Sequence, residues 1–310
     1  CQPEPFRPHG VPWQFATKVN PCDPVWRGLM CTEINATSHV IVLENNDCLM
    51  QGTLPASIVA LTRLENLDFS YNELNGPLPT AITQLQQLVV LDLTNNLFTG
   101  YIPDSWENCT SLVNLDMSGN QFSGPIPEGL GALSALVSLD MQYNPLTGTI
   151  PASLGNLVNL EDLYLGGSAL SGTIPPEILM VQLQALFVYD TNVHGHIPDF
   201  PVNSLMYEMV LSDNYLSGTV PDSIVRLDMN YLDVSSNHLT GPLPSLLGSA
   251  VTLQTAYLNE NALGGTIPEA LFASQLTSLS LGSNMLSGTL PRASNSQLAF
   301  LNLSYNALHG

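Results

Sequence analysis

Positive charge is the scarcest feature of this sequence. Its 310 residues carry 6 lysines and arginines against 26 aspartates and glutamates, a formal net charge of −20, and Lys18 is the single lysine. Such an acidic excess excludes the phosphate backbone of nucleic acid as a partner and repels an anionic membrane surface. No run of eighteen apolar residues occurs, so no membrane span lies in the segment. The 5 cysteines are an odd number, which leaves at least one thiol unpaired within the chain. The histidines, His9, His39, His194, His196, His238 and His309, are scattered. No Ser–His–Asp order, His-pair metal motif or phosphate loop stands out, so neither an enzyme nor a cofactor is expected.

What is abundant is repetition. The stretch 88–103, LVVLDLTNNLFTGYIP, reads L-x-x-L-x-L-x-x-N-x-L-x-G-x-I-P, and its glycine recurs every 22 to 24 residues from Gly52 to Gly310. A fixed period in this range marks a solenoid. Leucines such as Leu88, Leu91 and Leu93 alternate with polar residues such as Asp92, the period-2 signature of a short strand with one buried face. One turn cannot bury its leucines alone; stacking turns in register pairs the strands into a parallel sheet and builds a continuous core. Eleven intervals at roughly 4.8 Å per strand give a body about 50 Å long.

The asparagine of each turn is expected to point inward and serve the backbone of adjacent turns. The ladder comprises Asn72, Asn96, Asn120, Asn144, Asn214, Asn237, Asn261, Asn284 and Asn306, with Ser168 and Thr191 in the two turns between. Three residues after every glycine but the last stands a proline, from Pro55 to Pro291. Glycine permits a bend there, and proline fixes its own backbone while withholding a donor. The other half-turn, such as 105–110, is expected to be a short helix or irregular coil on the outer side.

The L-x-G-x-I-P ending resembles the plant-type leucine-rich repeat family, from about residue 40 onward. The resemblance implies a curved right-handed superhelix, with a parallel sheet on the concave face and short helical or irregular segments on the convex face. Residues 1–39 do not repeat; 40–310 are the repeats, about 11–12 turns. Within the first segment, C-D-P-V-W-R-G-L-M-C at 22–31 is similar to the family's N-terminal cap, in which the two cysteines, here Cys22 and Cys31, are bonded. A cap covers the unpaired edge of the first strand, and a disulfide implies an oxidising compartment. A zinc site would need two further ligands. Cys1 is open to pairing with Cys48 or beyond the segment, and Cys109 sits where the family often carries an unpaired buried cysteine.

Three N-x-S/T sequons, at Asn35, Asn108 and Asn302, together with the cap favour a secreted, extracellular or cell-surface glycoprotein. The chain starts at Cys1 without Met and is expected to be a processed form. It stops inside a repeat, so more protein, further turns or a membrane anchor, is expected beyond Gly310.

Function is expected on the outward strand positions, eight residues before each glycine, because these are free of folding duties. They read Asp68, Asp92, Asp116 and Asp140, then Tyr164, Phe187, Val210, Asp233, Tyr257, Ser280 and Asn302, with Tyr189 and Tyr231 at flanking positions. None of the basic residues falls on this face. The aspartates are open to two readings: family wording that keeps an exposed strand soluble, or a column of like charges awaiting a cation or basic partner. Calcium prefers clustered carboxylates, but a single-file column lacks the converging ligands of a loop site. The aromatics suit recognition, burying much area at low entropy cost.

Within the family, receptors for peptides with a free C-terminal carboxylate commonly use paired arginines on inner strands; here there are none. The reading is a recognition module binding a protein, peptide or glycan on its concave face. The alternative is a structural or adhesive module of a cell-surface, matrix or filament assembly, engaging copies of itself or neighbouring domains through edges and lateral faces.

Overall fold

The structure, a computed structural model, describes residues 29–34, 37–245, 247–250, 252–291 and 297–309. The chain divides into two compact units, Cys1–Thr147 with Asn156–Leu160, and Gly148–Gly155 with Glu161–Gly310.

In the first unit, strands Thr37–Glu44, Asn66–Asp68, Val90–Asp92, Asn114–Asp116 and Ser138–Asp140 pair side by side in chain order, all parallel. Strand Leu29–Ile34 pairs antiparallel with Thr37–Glu44, so the backbone edge of the first repeat strand is covered. The register puts like on like: Leu43, Leu67, Leu91, Leu115 and Leu139 are successive partners, and all are buried. Each such leucine contributes about 1.5–3 kcal/mol by leaving water, and only a neighbouring turn can supply that burial. Phe98 and Phe122 continue the stacking, their rings 6.0 Å apart and 4° from parallel. The second unit repeats the pattern from Asp162–Tyr164 to Phe300–Asn302, with Leu163, Leu186, Met209, Leu232, Ala256 and Leu279 as buried partners.

Each unit also holds a second parallel sheet that the sequence reading did not expect. The segment read as a bend, x-L-x-G-x, is itself a strand: Glu73–Pro77, Leu97–Tyr101 and Gln121–Pro125 pair in register in the first unit, His238–Pro242 and Ala262–Gly265 in the second. Glycine is needed because the strand kinks there. Gly241 has φ +79, and a Cβ on it would lie 2.8 Å from the Thr219 methyl.

On the outer side most turns form a 3-10 helix that starts straight after the Ile-Pro or Leu-Pro proline, as at Ala56–Ala60, Thr80–Gln84, Glu128–Ala132 and Glu269–Ala273. The proline caps without a side-chain bond; its extended backbone turns its carbonyl to accept from the third residue on, as Pro55 does from Ile58 at 3.1 Å. Turn 105–110 forms no helix. Trp106 fills it instead, fully buried, its indole N–H donating to the Pro103 carbonyl at 2.6 Å.

The asparagines sit between turns as rungs. Asn120 Nδ2 donates to the carbonyls of Leu93 in the previous turn and of Met117 and Ser118 in its own, at 2.9 to 3.1 Å. Its Oδ1 accepts the Phe98 amide at 3.0 Å. The backbone enters each rung through one left-handed residue, such as Tyr71 at φ 55 or Asn95 at φ 52, a feature absent from the sequence reading although Gly119 and Gly167 occupy the same position. Where the rung residue changes, bonding is partial. The Ser168 hydroxyl donates only to Leu165 in its own turn, at 3.0 Å. Thr191 Oγ1 donates to Asn214 Oδ1, and both oxygens lie 3.3 Å from the Val193 amide.

Candidate recognition surface

Strand geometry alternates side chains between core and open face, so the residues between buried leucines line the open face of each sheet. In the first unit Asp68, Asp92, Asp116 and Asp140 are successive register partners there, with Glu44 beside Asp68. These carboxylates are not idle. Asp68 Oδ1 accepts the Ser70 amide at 2.9 Å and hydroxyl at 2.7 Å, and Asp116 does the same with Ser118. Asp92 accepts the Thr94 amide, and Asp140 the Gln142 amide, both at 2.9 Å. D-x-[S/T/Q] is therefore a strand-end cap: the side chain satisfies the amide two residues on, where the ladder ends.

Partial burial raises the Asp140 carboxyl to about 6, the charges of Asp116 and Asp92 adding to it against the Gln142 hydrogen bonds. Asp92 moves the same way for the same first reason. Among the described residues no group of three or more His, Cys, Asp or Glu is placed to hold a metal ion.

The second unit presents aromatic rings. Tyr164 and Phe187 are register partners with ring centroids 5.0 Å apart, tilted by 50°. Tyr189 lies two residues beyond Phe187, and its ring covers Gly166: a Cβ on that glycine would fall 2.4 Å from a ring carbon. Glycine thus stands where turns such as those of Ser70, Thr94 and Ser118 keep a hydroxyl residue, which makes room for the ring. Tyr231 and Tyr257 meet edge to face, 5.9 Å apart at 84°. All five rings are half-buried, each offering part of its surface to solvent.

Asp233 lies beside Tyr257 in register and caps Ser235 as its counterparts do, its Oδ1 accepting the amide at 3.0 Å and the hydroxyl at 2.6 Å. Burial raises it as well. Burial, then Asp233, Tyr257 and Glu208, pushes the Tyr231 phenol up to about 12. Ser280, expected to face outward, is 3% exposed; it is short, and its Oγ accepts from the Asn302 side-chain Nδ2 at 3.4 Å.

The row two residues earlier on the same face was not singled out in the sequence. It reads Asp162, Ala185, Glu208, Tyr231 and Thr255 in register. Only Tyr231 of these stood out as aromatic; the two carboxylates flanking a small residue are visible once turns are aligned.

The remaining sequence candidates fall elsewhere. Asn108 is exposed on the outer side and Asn302 half-buried at the strand face; Asn35 lies outside the described residues. Cys109 is a buried free thiol, which burial raises to about 11. Cys31 and Cys48 are disulfide-bonded, while Cys22 and Cys1 lie outside the described residues. Among the described residues no helix is long and apolar enough to cross a membrane.

Residues 62–122 match the Leucine rich repeat family model, and 135–157 and 228–250 match a second Leucine Rich Repeat model. The chain is similar to the ectodomain of the Arabidopsis receptor kinase HAESA in complex with an N-terminally extended IDA peptide hormone. That match has a TM-score of 0.79 and 33% identity, over 94% of this chain and 49% of that one. It is similar to the plant peptide hormone receptor RGFR1 in complex with RGF2, with a TM-score of 0.76 and 30% identity over 84% and 46%. A leucine-rich repeat protein of Leptospira interrogans matches with a TM-score of 0.66 and 30% identity over 83% and 64%. The chain spans about half the length of the plant receptors it matches. No curated protein sequence matches it.

Proposed function

We propose that this chain, a leucine-rich repeat solenoid similar to plant receptor-kinase ectodomains, is an extracellular recognition module that binds a peptide or a protein segment on the strand face of its second unit. The observation that carries the reading is a set of five half-buried rings on one strand face, Tyr164, Phe187 and Tyr189 on one side of strand Glu208–Val210 and Tyr231 and Tyr257 on the other. Core packing does not need them, since the leucines between them already fill the interior. Rings held by strands bury much area at little entropy cost, which is what a binding surface requires.

The similar structures with a bound peptide hormone support the class of partner. The aspartates of the first unit are caps in this reading rather than ligands, and the module binds rather than catalyses. The bonded cysteines Cys31 and Cys48 and the sequon at Asn108 suit an extracellular setting.

The test is a selection of a random decapeptide library on the immobilised chain. Peptides that bind should lose at least about tenfold in affinity for the Tyr164→Ala/Tyr257→Ala variant, the loss of roughly 1.4 kcal/mol or more expected of anchor residues. They should bind Tyr71→Ala/Tyr143→Ala, which removes two exposed tyrosines outside the strand face, as they bind the parent. Equal losses in the two variants contradict the site.

A further inference from the structure

The capping aspartates and the row Asp162, Ala185, Glu208 look alike in charge but differ in state. Asp68, Asp116 and Asp233 each spend an oxygen on the amide and hydroxyl two residues on. The Asp162 and Glu208 carboxylates accept no hydrogen bond among the described residues. They stand on either side of Ala185 in register, about 10 Å apart at two strand spacings.

Ala185 is 7% exposed and is the short side chain of the row, between the longer Asp162 and Glu208. Side-chain length therefore makes the row lowest at Ala185, a slot between the two carboxylates. Two residues along the same strands, on the same face, stand Tyr164 and Phe187, whose tilted rings close one end. Tyr231, beside Glu208, bounds the slot along the row.

Charge in the slot is uncompensated. The Asp162 carboxyl is raised by burial and then by Glu161 and Glu208, all acids, with no cation to offset them. Of the basic residues described, Arg226 belongs to the outer 3-10 helix Asp222–Arg226, and Arg63 lies in the outer half-turn of the first unit.

We propose that the slot over Ala185 receives an arginine or lysine side chain of an extended peptide, its cation held between Asp162 and Glu208 and against the rings of Tyr164 and Phe187. The inference rests on the recognition reading above and names the chemistry of its ligand. A guanidinium matches each element: planar donors for two carboxylates, a flat face for the rings, and a narrow stem for a slot one alanine wide. The absence of arginine from the inner strands fits the same picture, since nothing on this face competes for the carboxylates.

The experiment uses the peptides selected on the full chain. Each arginine in them is replaced in turn by citrulline, the neutral isostere, and each lysine by norleucine. Affinities are then measured against the parent, Asp162→Asn/Glu208→Gln, and Glu177→Gln/Glu269→Gln. The last pair removes the same charge from exposed sites on outer helices. One basic position should cost at least about tenfold on the parent and less than about twofold on Asp162→Asn/Glu208→Gln, with the full cost kept on Glu177→Gln/Glu269→Gln.

Selected peptides that depend on Tyr164 and Tyr257 but lack a basic residue, or whose citrulline cost is the same on all three proteins, overturn the slot and leave the recognition reading standing. If no selected peptide depends on those tyrosines, both fall.

Discussion

At the scale of the residue, two polar side chains four positions apart, Asp116 and Asn120, have opposite fates. Asn120 is a rung between turns, and its replacement by alanine strands the Phe98 amide in the core at a cost of about 1–3 kcal/mol, while the Leu93 carbonyl keeps only its bond from Asn96. Asp116 is a cap at the surface. Its replacement by alanine frees the Ser118 amide, worth about 1 kcal/mol, but also relieves repulsion from Asp92 and Asp140, so the net loss is smaller. Urea unfolding should rank the two in that order.

Asp140 adds a dependence on pH. Its folded-state value, about 6, lies above the unfolded one near 3.8, so the folded chain holds that proton more tightly. The resulting stability is complete below about pH 3.8 and is lost as pH rises through about 6. Asp140→Asn, which is neutral throughout, should therefore be more stable than the parent at pH 7.5. The gap should be on the order of 1–2 kcal/mol after screening of this partly exposed group, and it should close at pH 4. A variant less stable than the parent at pH 7.5 contradicts the assignment.

At the scale of the element, the buried leucine stack and the asparagine rungs were legible because a strand's period of 2 is written directly in L-x-L and each rung needs an amide in one place. The second sheet was not. Its strands contain glycine, which reads as a bend, and they are held by the backbone register of neighbouring turns, as at Thr240↔Ala262 and Gly241↔Leu263. The left-handed entry to each rung was hidden for a related reason, because residues as different as Tyr71, Asp190 and Gly167 fill it.

Glycines test these elements. Gly129 needs no unusual backbone, yet a Cβ on it would lie 1.7 Å from the Asp104 carbonyl oxygen of the previous turn. Gly129→Ala must push two turns apart and should cost at least about 2 kcal/mol, whereas Gly52→Ala, which meets nothing within 4 Å, is limited to the strain of its φ of +99. Thermal unfolding that shows the larger shift for Gly52→Ala overturns the packing assigned to the outer helix.

At the scale of the whole molecule, the proposed recognition face was legible as aromatic residues, since Tyr164, Phe187 and Tyr257 stand at one place in the repeat, with Val210 and Asp233 between the last two. Their chemistry was not, because Asp162 and Glu208 gain meaning only when Ala185 is set between them. Composition alone said that the chain is acidic; register shows which acids are occupied as caps and which face solvent unbonded. The proposed partner, a cationic extended peptide, complements a chain of net charge −20.

The most direct test of recognition on that face is hydroxyl-radical footprinting, read by mass spectrometry as the oxidation of each tyrosine with and without a selected peptide. Protection of Tyr164, Tyr189, Tyr231 and Tyr257, with Tyr71, Tyr143 and Tyr305 oxidised as before, is the predicted result. Protection of Tyr71 or Tyr143 instead, with the strand-face rings unchanged, would place binding elsewhere and contradict the account.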